Sequence, residues 1–550
     1  MIRDYKIIFP VLLGGDLVVS SEHLGVSYLT AVLRKEGYKV KIIEVDIHDE
    51  EEKLNEILQF QPNLVGFTTV TFNIGRVIKF SKKIKEFMPE THITLGGHVA
   101  TIEAENILEE CESIDSIVIG EGEETIVELT ERLENGLDLN GCLGVFYRKR
   151  DKIYKNDRRP LIKNLDILPF PVRDELEEHK LKLPYLRVLG SRGCLGNCAF
   201  CGNPSFKRIQ KGPPWRGRSP KDFVSEISYL VEKYNIHTFD FVDDTIEDPG
   251  GLGKKRIKEI CEEIIQRNLD IYFTVRFRAE NWSEEDDELL ELLVKAGLEK
   301  VLIGFEAGNQ NGLRLFNKRA TVEDNLRVIE LLNRHKIFTS YGFINFHPYS
   351  TFSDLRDNAN FLRGKIGYNL RRYCTRLELY SGAAIKERLK KDGLLSNYNY
   401  KSGNLYAYEY VNPKVGTFAR EMGRILKDYQ EVMDWEIFEI VIYTFIYRVR
   451  RKFGDDVRIK NDFEEFEDKI QLIKKEIDEN NYEFFMKALE LAEYRWNSDR
   501  FEEYKRTHVR PFLKKKIEEI KTAQLRFGFK AKKRGVDLSK IEGEPGVIAG

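Results

Sequence analysis

Gly193-Cys194-Leu195-Gly196-Asn197-Cys198-Ala199-Phe200-Cys201-Gly202 places three cysteines within eight residues. Thiolates at that density bind metal. A 4Fe-4S cube has four irons and is usually closed by four cysteines, so a run that supplies three leaves one iron open to a non-protein ligand. The competing reading is part of a zinc site, which normally shows a second CxxC or HxxxH pair. Cys111, Cys142, Cys261 and Cys374 stand singly and far apart, so no second pair is at hand. A disulfide framework has no purpose in a 550-residue chain with seven cysteines.

The spacing CxxxCxxC, with an aromatic residue before the last cysteine and glycine after it, resembles the cluster loop of the radical S-adenosylmethionine (SAM) superfamily. The resemblance implies that SAM chelates the open iron through its amino and carboxylate groups. It also implies reductive cleavage of SAM to a 5′-deoxyadenosyl radical, an electron donor such as flavodoxin or ferredoxin, and Phe200 against the adenine. A protein that keeps a cluster only to fold or to sense oxygen is the reading from another class; a set of SAM-binding residues argues against it.

Composition bounds the partners. Hydrophobic residues make up 42% of the chain, enough for a sizeable core. The 88 basic against 90 acidic residues leave a net charge of −2, which gives no general attraction to nucleic acid or to an anionic membrane. The first residues lack the long apolar stretch of a signal peptide, so a cytoplasmic location is expected. Ile437 to Tyr447 is interrupted by Glu439 and falls short of the ~20 residues of a membrane span; it reads as a buried helix.

Upstream of the cysteines, residues 1–145 alternate short β-branched runs with amphipathic windows. Examples are Tyr5 to Phe9, Val26 to Glu36, Val40 to Val45, Glu51 to Phe60, Leu64 to Phe67, Ile74 to Phe87, Ile93 to Leu95, Ala104 to Glu110 and Ile117 to Ile119. The pattern predicts an α/β, Rossmann-like parallel sheet covered by helices. Ligands of such sheets bind beyond the carboxyl ends of the strands. There the chain carries Gly14-Gly15, Gly96-Gly97-His98 and Gly120-Glu121-Gly122. The stretch resembles the cobalamin-binding domain that precedes many radical SAM cores, which implies that these residues contact cobalamin. The DxHxxG signature of a cobalt-ligating histidine is missing: Asp46-Ile47-His48 is followed by Glu51 where glycine is needed, so His48 reads as a surface loop residue. His98 is open between ligand contact and loop polarity. The same fold can also persist without a corrinoid.

Residues 146–182 read as a linker, with the charged run Arg148 to Lys152 and the extended Leu168-Pro169-Phe170-Pro171. Residues 183–382 repeat a strand, usually followed by a helix, six times, with strands from Leu186, Thr238, Ile271, Lys300, Thr339 and Arg376. This predicts a partial (βα)6 TIM-like barrel with its reactive groups at the strand carboxyl ends. Helix starts are marked by Ser219-Pro220, Ser283-Glu284 and Thr321-Val322-Glu323-Asp324.

Each strand end offers a job. The second gives Asp243 and Asp244, which the resemblance places near SAM's amino group; an acidic N-cap is the alternative for Asp244. The third gives Arg276 and Arg278, on one face by strand alternation, either of which suits a carboxylate. The fourth gives Gly304-Phe305-Glu306-Ala307-Gly308, close to the family's strand-four motif, with a carboxylate suited to a ribose diol. The fifth gives His347 and Tyr349 as a possible proton or hydrogen relay, against an inert loop histidine. Residues 383–550 turn helical and read as a cap. The resemblance implies methyl transfer to an unactivated carbon or phosphorus of a small-molecule or peptide substrate. Radical cyclisation, epimerisation, rearrangement or dehydrogenation, with cobalamin absent or not a methyl donor, is the alternative.

Overall fold

The computed structural model describes residues 3–12, 23–177, 185–538 and 541. Gly14 and Gly15 lie outside the described residues. Packing divides the chain into two compact units: Met1–Leu269 with Leu379–Glu387 and Asn397–Leu405, and Asp270–Glu378 with Arg388–Ser396 and Tyr406–Gly550. The division falls inside the stretch that the sequence joins as one barrel.

The first unit opens with β1 (Lys6–Leu12), α1 (Leu24–Lys35), β2 (Lys39–Val45), α2 (Glu50–Phe60), β3 (Leu64–Thr68), α3 (Ile74–Phe87), β4 (His92–Gly96), α4 (His98–Ile102), α5 (Ala104–Glu110), β5 (Ser116–Val118), α6 (Glu123–Glu134), β6 (Val145–Lys149) and β7 (Lys152–Lys155). The sheet order is β2-β1-β3-β4-β5-β6-β7. β1 pairs parallel with both β2 and β3, so the connections reverse direction there and leave a crevice at the strand ends. Ile8, Val65, Ile93 and Ile117 pack against α3 and α5 on one face, while Ile7, Phe9, Val26 and Leu129 close the other against α1 and α6. The sheet is therefore wound on both sides, as the alternation predicts.

Two antiparallel strands depart from that expectation. β6 pairs antiparallel with β5 and β7 with β6, through a tight turn at Arg150, φ 54°. The charged run read as linker is thus an edge hairpin: Val145, Phe146 and Tyr147 are buried, Arg148 and Ile153 half-buried, and Lys149, Lys152, Tyr154 and Lys155 face water, where charge protects a sheet edge.

The unit continues with α7 (Asp174–Glu177), β8 (Leu186–Val188), β9 (Ser191–Arg192), α8 (Asn203–Ile209), β10 (Arg216–Gly217), α9 (Pro220–Tyr234), β11 (Thr238–Phe241) and α10 (Gly251–Gln266). β8 and β11 are parallel neighbours, and the Ser219 side chain caps α9 by accepting from Asp222 N.

In the second unit, β12 (Tyr272–Phe277), α11 (Asp287–Ala296), β13 (Leu298–Glu306), α12 (Gln310–Leu315), α13 (Val322–Arg334), β14 (Phe338–Phe343), α14 (Phe352–Leu362) and α15 (Arg371–Cys374) continue the strand and helix repeat, with β12, β13 and β14 parallel. Thr321 and Asp324 form a capping box at α13. The sixth strand is reduced to a single bridge, Phe346 to Arg376. Side chains take the bonds a ladder would use: Asn345 Nδ2 donates to Tyr373 O at 2.8 Å, and Asn345 N donates to Thr375 Oγ1 at 3.3 Å.

Beyond α16 (Ile385–Lys391), the helical region consists of α17 (Pro413–Asp428), α18 (Gln430–Phe453), α19 (Lys460–Tyr494), α20 (Ser498–His508) and α21 (Arg510–Lys533). Phe445, Phe466 and Phe527 join α18, α19 and α21, with ring centroids 5.2–6.2 Å apart. Among the described residues no helix is long and apolar enough to cross a membrane.

Trp282 is fully buried and stacks on Phe277 at 3.9 Å, joining β12 to the turn before α11. Trp282→Ala is expected to cost about 3–5 kcal/mol of unfolding free energy, read as a lower urea midpoint of this unit.

Candidate functional site

In the first unit the cysteine loop is held by its backbone. Gly193 has φ 91°, and a Cβ there would lie 2.0 Å from Pro214 O, so no other residue fits. Lys207 Nζ donates to Cys194 O at 2.5 Å and to Gly196 O at 2.9 Å, while Leu195 N donates to Asp248 Oδ2 at 2.7 Å. Cys194, Cys198 and Cys201 are half-buried thiols, and Gly196 N donates to Cys194 Sγ at 3.2 Å. Burial, with Cys198, Asp244 and Cys194 nearby, pushes the Cys201 thiol up to about 11 against the backbone bond from Asn203. Cationic iron is what such a donor set needs for its thiolates to form. Among the described residues no three His, Cys, Asp or Glu side chains converge on one ion. A cube takes each thiolate on a different iron and does not require that convergence. Phe200 lies half-buried between the second and third cysteines' turns.

The strand ends of the same unit hold Asp243 and Asp244. Asp243 is buried and accepts from Gly190 N at 2.9 Å and from the Ser191 hydroxyl. Its carboxylate thereby ties β11 to the residues that lead into the cysteine loop. Asp244 is exposed and accepts from Asn203 Nδ2 at 2.9 Å.

Facing the glycine loops of the Rossmann-like sheet is a cavity of about 370 Å³. Gly66, Gly96, Gly97, Gly120 and Gly122 line it together with Leu24, Val26, Leu29, Val118 and Ile126. Glycine walls bring the backbone close to an occupant, and apolar walls suit the body of a large cofactor. Gly97 and Gly120 have φ of 90° and 81°, a conformation glycine adopts without strain. Glu121 also lines the cavity, but its carboxylate is engaged: it accepts from Arg216 Nη1 at 2.9 Å, Arg192 Nη1 at 3.1 Å and Ile162 N at 3.1 Å. Burial alone would raise Glu123, yet Arg192, 2.5 Å away, holds it below its ordinary value. His98 turns toward Gly202 and stacks on Phe206 with centroids 5.6 Å apart. His48 is exposed, as a surface loop residue should be.

In the second unit Glu306 ends β13 at φ 64°, a strained value for a side-chain-bearing residue. The strand bulges between Gly304 and Glu306. The carboxylate folds back over the sheet: a Cβ at Gly304 would lie 2.3 Å from Glu306 Oε1, and one at Gly342 3.4 Å from Oε2. Gly308 likewise lies against Phe361, 2.3 Å from where a Cβ would sit. Burial raises the Glu306 pKa, opposed by Lys318 and Arg372. Among the described residues its carboxylate has no hydrogen-bonded partner. β12 ends at Phe277, and Arg278 continues beyond it in extended conformation, φ −110° and ψ 129°. Arg278 is buried and paired to Glu280 at 3.0 Å, while Arg276 stays half-buried beside Leu302.

The relay of His347 and Tyr349 is not assembled. His347 is buried beneath Phe316, accepts from Tyr349 N at 3.3 Å, and is lowered to about 4 by burial. The Tyr349 hydroxyl instead donates to Asp392 Oδ2 at 2.7 Å and is raised to about 12 by burial and that bond.

Comparisons with known proteins agree with the family reading. A model described as B12 binding domain matches residues 11–130, and one described as Radical SAM superfamily matches residues 188–362. The uncharacterized methyltransferase PH0819 of Pyrococcus horikoshii is 30% identical over 386 residues, 69% of this chain and 80% of that protein. The anaerobic magnesium-protoporphyrin IX monomethyl ester cyclase of Rubrivivax gelatinosus is 32% identical over 331 residues, and the chain spans 58% of its length as well as matching over 58% of its own. The cobalamin-dependent radical enzyme OxsB, solved with aqua-cobalamin and SAM, shares the fold at a TM-score of 0.67 and 19% identity, covering 98% of this chain and 81% of that one.

Glu306 yields a signed prediction. Its pKa is raised in the folded protein, so ionising it opposes folding as pH rises above the unfolded value near 4.3. Glu306→Gln is expected to melt higher than the parent at pH 8, to lose that advantage toward pH 4, and to bind SAM at least about tenfold more weakly by calorimetry. Unchanged SAM affinity would remove Glu306 from the site.

Proposed function

The chain belongs to the radical SAM superfamily and carries a B12-binding domain ahead of its radical SAM domain, and from that we propose a cobalamin-dependent enzyme that transfers a methyl group to an unactivated carbon, or to phosphorus, of a small-molecule or peptide-type substrate. Its domains imply a 4Fe-4S cluster, SAM and cobalamin as cofactors. The observation that carries the reading is the glycine-walled cavity of about 370 Å³ in the B12-matched stretch, within the same unit as the three-cysteine loop. Hydrogen abstraction by itself has no need of that cavity. The name of PH0819 points the same way.

When bound, the cluster and SAM supply a radical at the substrate, and cobalamin supplies a transferable methyl group. The chain's own residues hold and orient. Cys194, Cys198 and Cys201 ligate the cluster, with the Gly196 amide steadying the first sulfur. Glu306 accepts from the ribose hydroxyls of SAM, since its carboxylate is desolvated and has no hydrogen-bonded partner among the described residues. Asp243, buried, and Asp244, exposed, are the carboxylates proposed to lie near the amino group of SAM. Arg276 or Arg278 offers a guanidinium to the methionine carboxylate. Phe200 covers the adenine, and the glycines from Gly96 to Gly122 bound the corrinoid. A flavodoxin- or ferredoxin-like donor supplies electrons in the cytoplasm.

A second reading, radical cyclisation without methyl donation, is favoured by the 32% identity to the Rubrivivax cyclase. Methyl-labelled SAM separates the two. Protein purified anaerobically from cobalamin-fed cells is expected to hold about four irons and one corrinoid per chain. Under reducing conditions the label should pass into the corrinoid fraction. Corrinoid that stays unlabelled would favour cyclisation; a cluster with no corrinoid would overturn the cobalamin reading; zinc in place of iron would overturn both. Cys198→Ala should lose the iron and keep the corrinoid.

A further inference from the structure

Gly97 and Cys201 belong to different sites, yet a single side chain joins their neighbours. Gly97 bounds the 370 Å³ cavity, and the next residue, His98, begins α4. The backbone there has no slack: a Cβ at Gly97 would lie 2.8 Å from Thr69 O, and Ala100 N donates to Thr69 Oγ1 at 2.8 Å. The His98 ring stacks on Phe206 of α8, tilted by 17°, and its edge lies against Gly202, the residue that follows Cys201, with Nε2 2.6 Å from where a Cβ of Gly202 would sit. Gly202 must be glycine for this contact, since a Cβ would lie 2.3 Å from His98 Cε1. Its carbonyl also starts α8 by accepting from Ser205 N and Phe206 N, each at 3.1 Å.

We propose that His98 is a positioning residue that couples occupancy of the corrinoid cavity to the iron-sulfur cluster. The proposal rests on the cobalamin reading above. An occupant pressing on Gly97 moves the start of α4, where His98 sits, and the imidazole passes that movement to Gly202 and the adjoining Cys201. Coupling of this kind is reciprocal: whatever corrinoid does to the cluster, the cluster does to corrinoid affinity.

The test uses the full chain with its cluster reconstituted, hydroxocobalamin as the probe, and His98→Phe and His98→Gln as variants. Phenylalanine keeps the stack and loses the polar ring nitrogens that face Gly202; glutamine keeps a polar group there. In the parent, hydroxocobalamin should shift the electron paramagnetic resonance signal and midpoint potential of the reduced cluster. The Cys198→Ala protein, lacking the cluster, should bind the corrinoid at least about fivefold more weakly than the parent. His98→Phe should lose the shift while keeping iron content and far-ultraviolet circular dichroism, and His98→Gln should restore it. A shift that survives in His98→Phe, or corrinoid binding to the parent without any shift, overturns the coupling and leaves the cobalamin reading standing. No corrinoid binding at all overturns both. A His98→Phe protein that cannot hold iron assigns the residue to cluster assembly and overturns the coupling as well.

Discussion

The buried ion cluster of Arg192, Arg216, Glu121 and Glu123 is the constraint on which the first unit depends. Arg192 lies one residue before Gly193, where the cysteine loop begins, and reaches Glu123 at 2.5 Å and Glu121 at 3.1 Å; Arg216, beyond the loop, reaches Glu121 at 2.9 Å. All four are largely shielded from water. A buried pair gains little net stability over apolar packing, but losing one partner leaves an uncompensated charge that costs about 3–5 kcal/mol. The network therefore acts mainly as a specificity device. It fixes the register between the cavity wall at Gly120–Glu123 and both flanks of the loop that carries the thiols.

With the flanks fixed, the loop itself is shaped by exclusion. Gly193 passes where any side chain would strike Pro214, and Gly202 where it would strike His98. Lys207 closes the first turn from inside by binding two carbonyls. Three like-charged thiolates on one short loop repel one another, and burial makes the Cys201 thiol harder to ionise, so the backbone must hold them in place until metal offsets the charge. The same logic governs Glu306. A carboxylate at φ 64°, buried, with glycines cleared on two strands beneath it, is strain and desolvation retained at one point of the strand end.

How legible this was follows from the range of each signal. Local signals carried far: the cysteine spacing, the Gly304–Gly308 motif, and helices such as α3 and α5, whose bounds the periodicity matches. The capping boxes at Thr321 and Ser283 are written within four residues and were readable for that reason. Helix α6 escaped because its first turn, Glu123-Glu124, continues a glycine and glutamate loop and hides the apolar spacing of Ile126 and Leu129. The edge hairpin at β6 and β7 escaped because its charge, which protects an edge, looks like a linker in one dimension. The sixth barrel strand misled in the opposite sense, since Arg376 to Leu379 alternates like a strand while Asn345 and Thr375 bond in place of its ladder.

The site residues separate along the same line. Sequence places a carboxylate, a guanidinium or an imidazole at a strand end, but what each side chain is free to do depends on partners far away in the chain. Asp243 and Asp244 are equivalent in sequence, yet Gly190 and Ser191, more than fifty residues upstream, bury the first, while the second is exposed and accepts from Asn203. Arg278 is buried beside Glu280, whereas Arg276, two residues earlier, is half-buried. His98 gives the sharpest case: as a loop histidine after two glycines it is open between ligand contact and loop polarity, whereas its ring lies on residues more than one hundred positions onward, against the loop that bears the cysteines. Chemistry is thus legible in residue type and spacing, while the choice among chemically equivalent groups is made by burial and long-range pairing, which no local pattern encodes.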